Sequence, residues 1–543
     1  MLLLVLWGVR SAHAQSATDA NFLSILAELR EASFPDKEAI VDRLSQTGHP
    51  SLRGVLTALM EDRLFYRTAE KPEDQQIVIA KSVDGSPEVI DLIDPVTLKA
   101  AGTAKLESLT GINTNNRLRS VLKTTVAHFA LASDDPAVRL NAVRDLMQSP
   151  DEAAIALLKE RASVESDSGV RKEISIALAL VALADSNAQV RLDAVNTLRS
   201  SNSQDVRNKL AGLLEQSSDG TFAETDEGVR KTAARAVLII DRWRTFYSGV
   251  ETLFFGLSLG SVLVLIAVGL AITFGVMGVI NMAYGELMML GAYTTYVVQT
   301  AMPGHAGISI LVAIPAAFMV SAIVGILIER TVIRFLYGRP LETLLATFGV
   351  SLILQQLVRS IFSALNKSVV TPEWMSGTLQ LNDALGITYN RLYIVIFTLV
   401  VFAAIMAVLK RTRLGLDIRA VSQNRSMARA MGIRSAWVDA MTFGLGSGIA
   451  GVAGVALSQL TNVGPNLGQS YIIDSFMVVV FGGVGNLWGT LIGGMSMGIV
   501  SKLLEPYSGA VLAKIFILIA LILFIQARPR GLFPQSGRSS GDN

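Results

Sequence analysis

Hydrophobic and polar positions are distributed differently in the two halves of the chain. Between residues 20 and 243, charged side chains recur among Leu, Ile, Val and Ala at helical spacing, and no apolar run is long enough to cross a bilayer. From residue 253 onward, long apolar runs follow one another with few charges inside them. The pattern predicts an all-α membrane protein with a mostly helical domain outside the bilayer at 15–245, a polytopic transmembrane domain at 250–530 and a short tail at 531–543.

The second half contains nine apolar segments that suit membrane helices. Two of them are short or interrupted by Gly, so half-helices are an alternative to full crossings, and the number of spans around 472–504 stays open. The nine segments are 253–273, 285–301, 308–328, 343–364, 392–409, 439–460, 472–483, 487–504 and 511–527.

Basic residues cluster in the loops after the third, fifth and last segments. By the positive-inside rule, these loops and the carboxyl terminus lie in the cytoplasm. Counting spans backward then puts the first half outside the membrane, so we predict a multi-pass protein of the bacterial inner membrane with a periplasmic N-terminal domain. The basic residues are Arg330, Arg334, Arg339, Lys410, Arg411, Arg413, Arg419, Arg425, Arg429, Arg434, Arg528 and Arg530.

The amino terminus has the pattern of a secretory signal peptide. Residues 2–7 are apolar, and Ala12-His13-Ala14 has the small-x-small pattern of a cleavage site. We therefore predict a signal peptide at 1–14, which agrees with a periplasmic first half. No basic residue precedes the apolar run, so the translation start stays open, and a frayed apolar start on a cytosolic protein is the alternative.

A Val-Arg pair recurs inside similar phrases of the first half. Polar residues ahead of each pair can cap a helix start, the Val can point inward, and the Arg stem can cover the neighbouring helix. The phrases resemble HEAT-type repeats, in which helix pairs stack into a solenoid, and a small β element fits residues 64–95. Docking of a protein partner and a spacer role are both open for this domain. The pairs are Val138-Arg139, Val170-Arg171, Val190-Arg191, Val206-Arg207 and Val229-Arg230.

Composition and motifs exclude several classes of function. The 543 residues include 47 Lys and Arg against 45 Asp and Glu, a net charge of +2, so nucleic acid is not an expected partner. Cys is absent and the four His are far apart in sequence, which argues against a metal site. The sequence also lacks a nucleotide-binding loop and the common catalytic motifs. We therefore predict a protein that is not an enzyme and needs no cofactor.

Two glycine-rich phrases lie where a predicted span turns back. FGVMGVINMAYGE begins at Phe274 and FGGVGNLWG begins at Phe481, and both contain Phe-Gly-x-x-Gly followed by Asn. Glycines at membrane depth permit unwound backbone, whose free N–H and C=O groups need a cavity, a ligand or neighbouring helices. A substrate pathway lined by Asn281, Glu286 and Asn486 is one interpretation, and close helix packing by the glycines is the other.

The basic loop after the fifth segment has the pattern of one amphipathic helix that ends at Gly432. Such a helix can lie on anionic lipid or dock into a soluble partner. The residues predicted to share its apolar face are Ala420, Val421, Met427, Ala428 and Met431.

Three separate phrases resemble the permease subunits of branched-chain amino acid and urea ABC importers. They are ITFGVMGVINMAYGELMMLGAY from Ile272, RTRLGLDIRAVSQNRSMARAMGI from Arg411 and VVVFGGVGNLWGTLIGG from Val478. The phrase at 339–356 and the long domain before the spans resemble the urea branch in particular. That branch has a His where this chain has Tyr284, so a protonatable role is not expected there, although the phenol can hydrogen-bond a carbonyl.

The resemblance implies a pore-forming subunit that pairs with a second, related permease subunit in the membrane lipid. It further implies that a periplasmic binding protein delivers the substrate and that cytoplasmic ATP-binding subunits drive transport. Urea is neutral and planar, so its path needs paired polar side chains and no fixed charge. The candidate pathway residues are Asn281, Tyr284, Glu286, Gly482, Gly483 and Asn486. The resemblance assigns ATPase coupling to Arg419, Gln423, Asn424, Arg425, Met431 and Gly432.

Other functions remain alternatives at this point. A permease for branched-chain amino acids or short amides would use the same architecture. A stand-alone channel or an ion-coupled carrier is weakened because ion coupling normally uses acidic or His residues deep in the spans, and Glu286 is the one strong candidate. A membrane-anchored sensor would need an output domain after the last span.

Overall fold

The computed structural model describes residues 18–67, 76–81, 89–147, 150, 152–216 and 221–533. The chain divides into two compact units, Met1–Asp241 and Arg242–Asn543, and each has its own hydrophobic cores. The signal peptide predicted at 1–14 and residues 534–543 of the predicted tail lie outside the described residues.

Within the described residues of the first unit, three helices precede a sheet. The five antiparallel strands have the order β4-β3-β2-β1-β5. Strand β2 is buried along its whole length because its apolar residues lie at the sheet centre. The sheet continues past residue 95, which the sequence AAGTAK of β4 does not signal because it is poor in β-branched and aromatic residues. The elements are α1 (18–27), α2 (Phe34–Gln46), α3 (Leu52–Met60), β1 (Leu64–Arg67), β2 (Ile77–Ala80), β3 (Val89–Ile93), β4 (Ala100–Lys105) and β5 (Leu109–Gly111).

Six further helices follow the sheet and share two apolar cores. Several begin at a polar capping residue: the side chains of Asn115, Asp167, Asn187 and Ser203 accept hydrogen bonds from the first backbone N–H groups. The HEAT-type solenoid stays a prediction for this region. The helices are α4 (Asn116–Leu131), α5 (Pro136–Met147), α6 (Glu152–Val164), α7 (Ser168–Ala182), α8 (Ala188–Leu198) and α9 (Gln204–Gly212).

Three arginines of the recurring Val-Arg pairs form ion pairs in addition to any packing by their stems: Arg139, Arg191 and Arg207. Arg139 donates two hydrogen bonds of 2.9 Å to Glu165, and Arg191 donates two of 2.7 Å to Glu224. Each of these arginines also donates to two carbonyls of the loop before its own helix. The planar guanidinium therefore joins one helix start to the loop that precedes a later helix. Of the paired valines, those that are buried as predicted are Val170, Val206 and Val229.

Glu165 is fully enclosed within this arrangement. Burial by itself raises the pKa of Glu165, but hydrogen bonds from Arg139, from the backbone N–H of Asp167 and from Arg161 more than offset it and lower the pKa to about 2. The carboxylate consequently stays ionised at neutral pH, and each charge of the pair is compensated.

The second unit is a helical membrane domain. Among the described residues, six helices are long and apolar enough to cross a membrane: α10, α12, α13, α14, α17 and α19. Helix α11 is not among them because Glu286, Gln299 and several Thr and Tyr lower its hydropathy, and α18 spans only about 24 Å. The elements are α10 (Glu227–Met277), α11 (Tyr284–Ala301), α12 (Ala306–Thr331), α13 (Pro340–Phe362), β6 (Thr378–Asn382), β7 (Leu385–Thr388), α14 (Tyr389–Arg411), α15 (Arg413–Gln423), α16 (Arg425–Ala430), α17 (Ser435–Ser458), α18 (Leu467–Gly482) and α19 (Leu487–Ala527).

Helices of this unit approach one another at glycines. A side chain at Gly291 of α11 would overlap the backbone of Gly451 on α17, and one at Gly498 of α19 would overlap α10 at Gly260. Such contacts suit a membrane, where association depends on close packing more than on a hydrophobic driving force. The apolar segment of α10 and helix α17 are almost entirely buried, whereas α12, α13, α14 and α19 present apolar faces to the outside.

Two features of this unit differ from the predicted segments. The segments at 487–504 and 511–527 belong to one element, α19, which is kinked where Gly509 adopts a non-helical φ of 77° after Pro506. The hairpin of β6 and β7 was not predicted, because its apolar positions are few and the chain around it reads as a loop.

Candidate functional site

The connection between α10 and α11 is unwound. Residues 278–283 form no helix, and Gly278 has a φ of 67°, which a glycine tolerates. The Asn281 Oδ1 atom accepts a hydrogen bond of 3.0 Å from the Ala283 backbone N–H, and the Thr347 Oγ1 atom accepts one of 3.1 Å from the Met282 N–H. The side chains of Asn281 and Thr347 thus accept hydrogen bonds from backbone N–H groups that helical carbonyls would otherwise satisfy.

Glu286 lies in the first turn of α11 and is buried. Its Oε1 atom accepts hydrogen bonds from the Ser351 Oγ atom at 3.1 Å and from the Gln355 Nε2 atom at 2.7 Å. Both partners lie near the middle of α13, a candidate membrane span. The start of α11 therefore places a carboxyl group at the depth of the centre of a membrane helix, where an acidic residue usually has a function.

The two partners of Glu286 belong to a stripe of polar residues on α13. Its members, which we call the α13 polar stripe, follow one another at intervals of four and are at most 4% exposed. The sequence analysis missed the stripe, although polar residues at a helical period within an apolar segment were a readable signal. The stripe consists of Thr343, Thr347, Ser351 and Gln355.

Two polar atoms of this site have no hydrogen-bond partner among the described residues. They are the Glu286 Oε2 atom, an acceptor when ionised, and the Asn281 Nδ2 atom, a donor. Buried polar atoms are normally paired, so open ones indicate a place for a ligand or water. In the described part of the chain, no group of three or more His, Asp and Glu side chains could hold a metal ion.

Tyr284 lies beside this site but has a different contact. Its hydroxyl donates a hydrogen bond to the Gly446 carbonyl of α17. The hydroxyl fits because Gly269 of α10 has no side chain. Tyr284 thus connects the start of α11 with α10 and α17.

The other predicted pathway residues lie at the turn between α18 and α19. Gly482 packs against Gly489, and Gly483 has a φ of 102°. The Asn486 Oδ1 atom accepts a hydrogen bond of 3.2 Å from the Gly489 N–H and so caps α19. These contacts serve helix packing and capping. Glu286, by contrast, bonds directly to the α13 polar stripe, and Asn281 is connected to the stripe through its neighbour Met282.

The segment predicted to couple the permease to an ATPase consists of two helices, so the prediction of one amphipathic helix is wrong. Helix α15 ends at Gln423 and α16 begins after Asn424. The Asn424 Oδ1 atom accepts a hydrogen bond of 3.0 Å from the Met427 N–H, and this side-chain cap favours a new helix start over continuation. The predicted apolar face is accordingly divided: Val421 and Ala428 are buried, but Met427 and Met431 are exposed.

Arg425 connects this segment to the membrane helices. It forms an ion pair with Asp439 of α17 and donates a hydrogen bond to the Tyr337 hydroxyl. Its guanidinium carbon also lies 4.0 Å from the centre of the Tyr337 ring. Among the other predicted coupling residues, Gly432 ends the segment in the left-handed conformation with a φ of 90°. Arg419 donates to the Leu409 carbonyl at the end of α14.

A polytopic helical unit with a buried polar site and a basic loop segment defines a membrane transport protein. Residues 252–525 match the family described as the permease component of branched-chain amino acid transport systems. The chain belongs to this family.

Individual relatives agree with this assignment. The permease BraD of Pseudomonas aeruginosa, named for high-affinity branched-chain amino acid transport, is 30% identical over 295 residues, which are 53% of this chain and 96% of BraD. LivH of Escherichia coli K12, which carries the same description, is 31% identical over 52% of this chain and 94% of LivH. The ribose import permease RbsC of Escherichia coli K12 is 25% identical over 50% of this chain and 85% of RbsC. No solved structure matches the chain.

Proposed function

We propose that this chain is the pore-forming permease subunit of an ATP-binding-cassette importer that carries urea across the bacterial inner membrane. Family membership supports the permease role, since the relatives named above are transport permeases and not enzymes. The observation that carries the proposal is the buried site of Glu286, Asn281 and the α13 polar stripe, which offers an open acceptor and an open donor.

Urea is complementary to these open atoms. Its N–H groups can donate to the Glu286 Oε2 atom, and its carbonyl can accept from the Asn281 Nδ2 atom. A neutral solute also needs no charged partner inside the apolar spans. In this proposal Tyr284 positions the start of α11 by its bond to Gly446. The turn residues Gly482, Gly483 and Asn486 support the pathway by fixing α18 against α19.

The proposed coupling to ATP hydrolysis runs through Arg425. The ATP-binding subunits contact the segment from Arg419 to Gly432, where Met431 is exposed. Movement of α16 passes to α17 through the pair of Arg425 and Asp439. Helix α17 then acts on α11, because the Gly446 carbonyl holds the hydroxyl of Tyr284, which lies two residues before Glu286 in α11.

The remaining parts of the proposal concern partners and orientation. A second, related permease subunit completes the pore, and a periplasmic binding protein delivers the substrate. The loops with basic residues lie in the cytoplasm, and the domain before α10 lies in the periplasm after removal of a signal peptide. This domain provides a surface for a protein partner.

The test is uptake of labelled urea at low external concentration, with leucine as competitor, in cells with and without this gene. We expect the gene to be required for urea uptake and leucine not to compete. Loss of leucine transport with unchanged urea uptake would favour the second candidate, a branched-chain amino acid permease, which the described functions of BraD and LivH favour. No change in either would contradict both.

A further inference from the structure

A cavity of about 310 Å³ opens where α10, α14 and α15 meet the turn before α19. It lies at the basic end of the membrane unit, because α14 ends here with Lys410 and Arg411. The volume equals that of about ten water molecules, which is enough for a phosphate group with its glycerol. The cavity is separate from the Glu286 site, since none of its lining residues belongs to α11 or α13.

Two positive charges line this cavity without an acidic partner. Among the described residues, Lys410 forms no ion pair, and Arg419 donates to the Leu409 carbonyl but to no carboxylate. Other cationic side chains of the same unit do have an acidic partner, such as Arg425 with Asp439 and Lys514 with Asp474. Two unpaired cations at one opening attract an anion.

Apart from Ser422 and Asn486, the remaining wall of the cavity is apolar. Ile272 and Val276 of α10 and Met406 of α14 form one side, and Trp488 of α19 forms another. Trp488 is half-exposed, and its ring lies 5.4 Å from that of Phe402. An indole in this position, next to basic side chains, is typical of the interface between lipid headgroups and acyl chains.

We propose that this cavity binds the phosphate of an anionic phospholipid from the leaflet at the basic end of the spans. Lys410 and Arg419 hold the phosphodiester, and the glycerol and first acyl carbons lie against the apolar wall beside Trp488. A free phosphate shares the charge but would leave that wall exposed to water, so the wall favours the lipid. Because Ile418, Arg419 and Ser422 of α15 line the cavity, the bound lipid stabilises the segment that precedes α16.

The test measures binding of short-chain phosphatidylglycerol to the purified full-length protein with its partner subunits, by thermal unfolding and native mass spectrometry. Phosphatidylcholine of the same chain length and inorganic phosphate serve as the other ligands. We expect phosphatidylglycerol to raise the unfolding midpoint and to be retained, and the other two to do neither. The double variant Lys410→Gln, Arg419→Gln is expected to bind it roughly twenty-five-fold more weakly, the product of about fivefold for each basic side chain.

The matched control is the double variant Arg411→Gln, Arg413→Gln, which removes the same charge from exposed residues next to the cavity but outside its lining. Equal loss of binding in the control, or equal binding of phosphatidylcholine, would overturn the proposal. If inorganic phosphate alone stabilises the protein, the occupant of the cavity is not a lipid.

If the double variant does not fold, the test is the quenching of tryptophan fluorescence by phosphatidylglycerol with brominated chains, measured in the wild type and in Trp488→Phe. We expect this variant to lose the quenching that is specific to phosphatidylglycerol, and undiminished quenching would contradict the site.

Discussion

The helical array of the first unit and the membrane unit treat buried polar groups in opposite ways. In the array, Arg139 and Glu165 satisfy one another and the neighbouring loop. Of the eleven buried side chains in the described residues that have an open polar atom, ten lie in the membrane unit. Burying a polar atom without a partner costs free energy. The array thus pairs its buried charges, whereas the membrane unit leaves several buried polar atoms without a protein partner, including the two that the proposed function assigns to the solute.

The largest effect is expected where the membrane unit has no room for a side chain. Gly291→Leu would drive a side chain into the backbone of Gly451, so we expect loss of folded protein. Gly349→Leu is the control, because a side chain at Gly349 of α13 meets no atom within 4 Å. The measurement is the yield of monodisperse protein after detergent extraction. Equal yields of the two variants would show that the glycine contact is not needed.

The next effect concerns the pair that connects α16 with α17. Asp439→Asn leaves Arg425, which is partly buried, without its counter-charge, and the cost stays below the roughly 3–5 kcal/mol of a fully buried pair. We expect ATP hydrolysis by the assembled transporter to continue while uptake is lost. The conservative Arg425→Lys keeps the charge and should retain part of the coupling. Normal uptake per ATP hydrolysed in Asp439→Asn would refute the coupling role.

In the array, the expected effect depends on pH. The pKa of Glu165 is lowered from 4.5 to about 2 in the folded protein, so its ionisation contributes about 3 kcal/mol of stability above pH 4.5. This contribution is lost as the pH falls from 4.5 toward 2, because the unfolded state then binds a proton more readily. Hydrogen exchange of α6 and α7 in the full chain should show the loss.

Two variants sharpen this prediction. Glu165→Gln should raise the exchange rates of α6 and α7 at pH 7 and remove most of their acid dependence. The control Glu160→Gln changes an exposed carboxylate in α6, the helix that ends just before Glu165, and should leave both unchanged. If Glu165→Gln exchanges like the control, the pair contributes nothing to stability.

A smaller effect is expected at the open donor of the pathway. Asn281→Leu removes the Nδ2 atom and the bond to the Ala283 N–H, at a cost of about 1 kcal/mol for each lost hydrogen bond. We expect urea uptake to fall roughly fivefold to thirtyfold while assembly is retained. The control Asn382→Leu lies in the hairpin of β6 and β7. Unchanged uptake kinetics of Asn281→Leu would exclude Asn281 from the pathway.

The comparison also separates what the sequence could predict from what it could not. Long apolar runs indicated the membrane helices, because hydropathy over a window depends on neighbouring residues alone. The partners of Glu286 were not predictable in the same way, since Ser351 lies 65 residues away and Gln355 lies 69 residues away. The spacing of four residues between Ser351 and Gln355 indicated one face of α13. It did not indicate which helix packs against that face.

Local patterns failed where a side chain competed with regular structure. Asn424 has a side chain that caps a new helix, so the apolar pattern on both sides of it did not describe one continuous helix. The Val-Arg pairs predicted helix starts, but the second role of the Arg depended on a carboxylate such as Glu165, which lies 26 residues from Arg139. Sequence patterns therefore indicated the elements and left the contacts between them open.

The most direct test of the account is urea uptake by cells that carry Glu286→Gln instead of the wild-type chain. The change keeps the size of the side chain but replaces its free acceptor with an amide donor, which leaves the urea N–H without an acceptor at a cost of about 1–3 kcal/mol. We predict at least a tenfold fall in urea uptake at equal amounts of assembled transporter. The control variant Glu342→Gln, which changes an exposed carboxylate on α13, should transport urea normally. Wild-type uptake by Glu286→Gln would contradict the pathway assigned to the buried site.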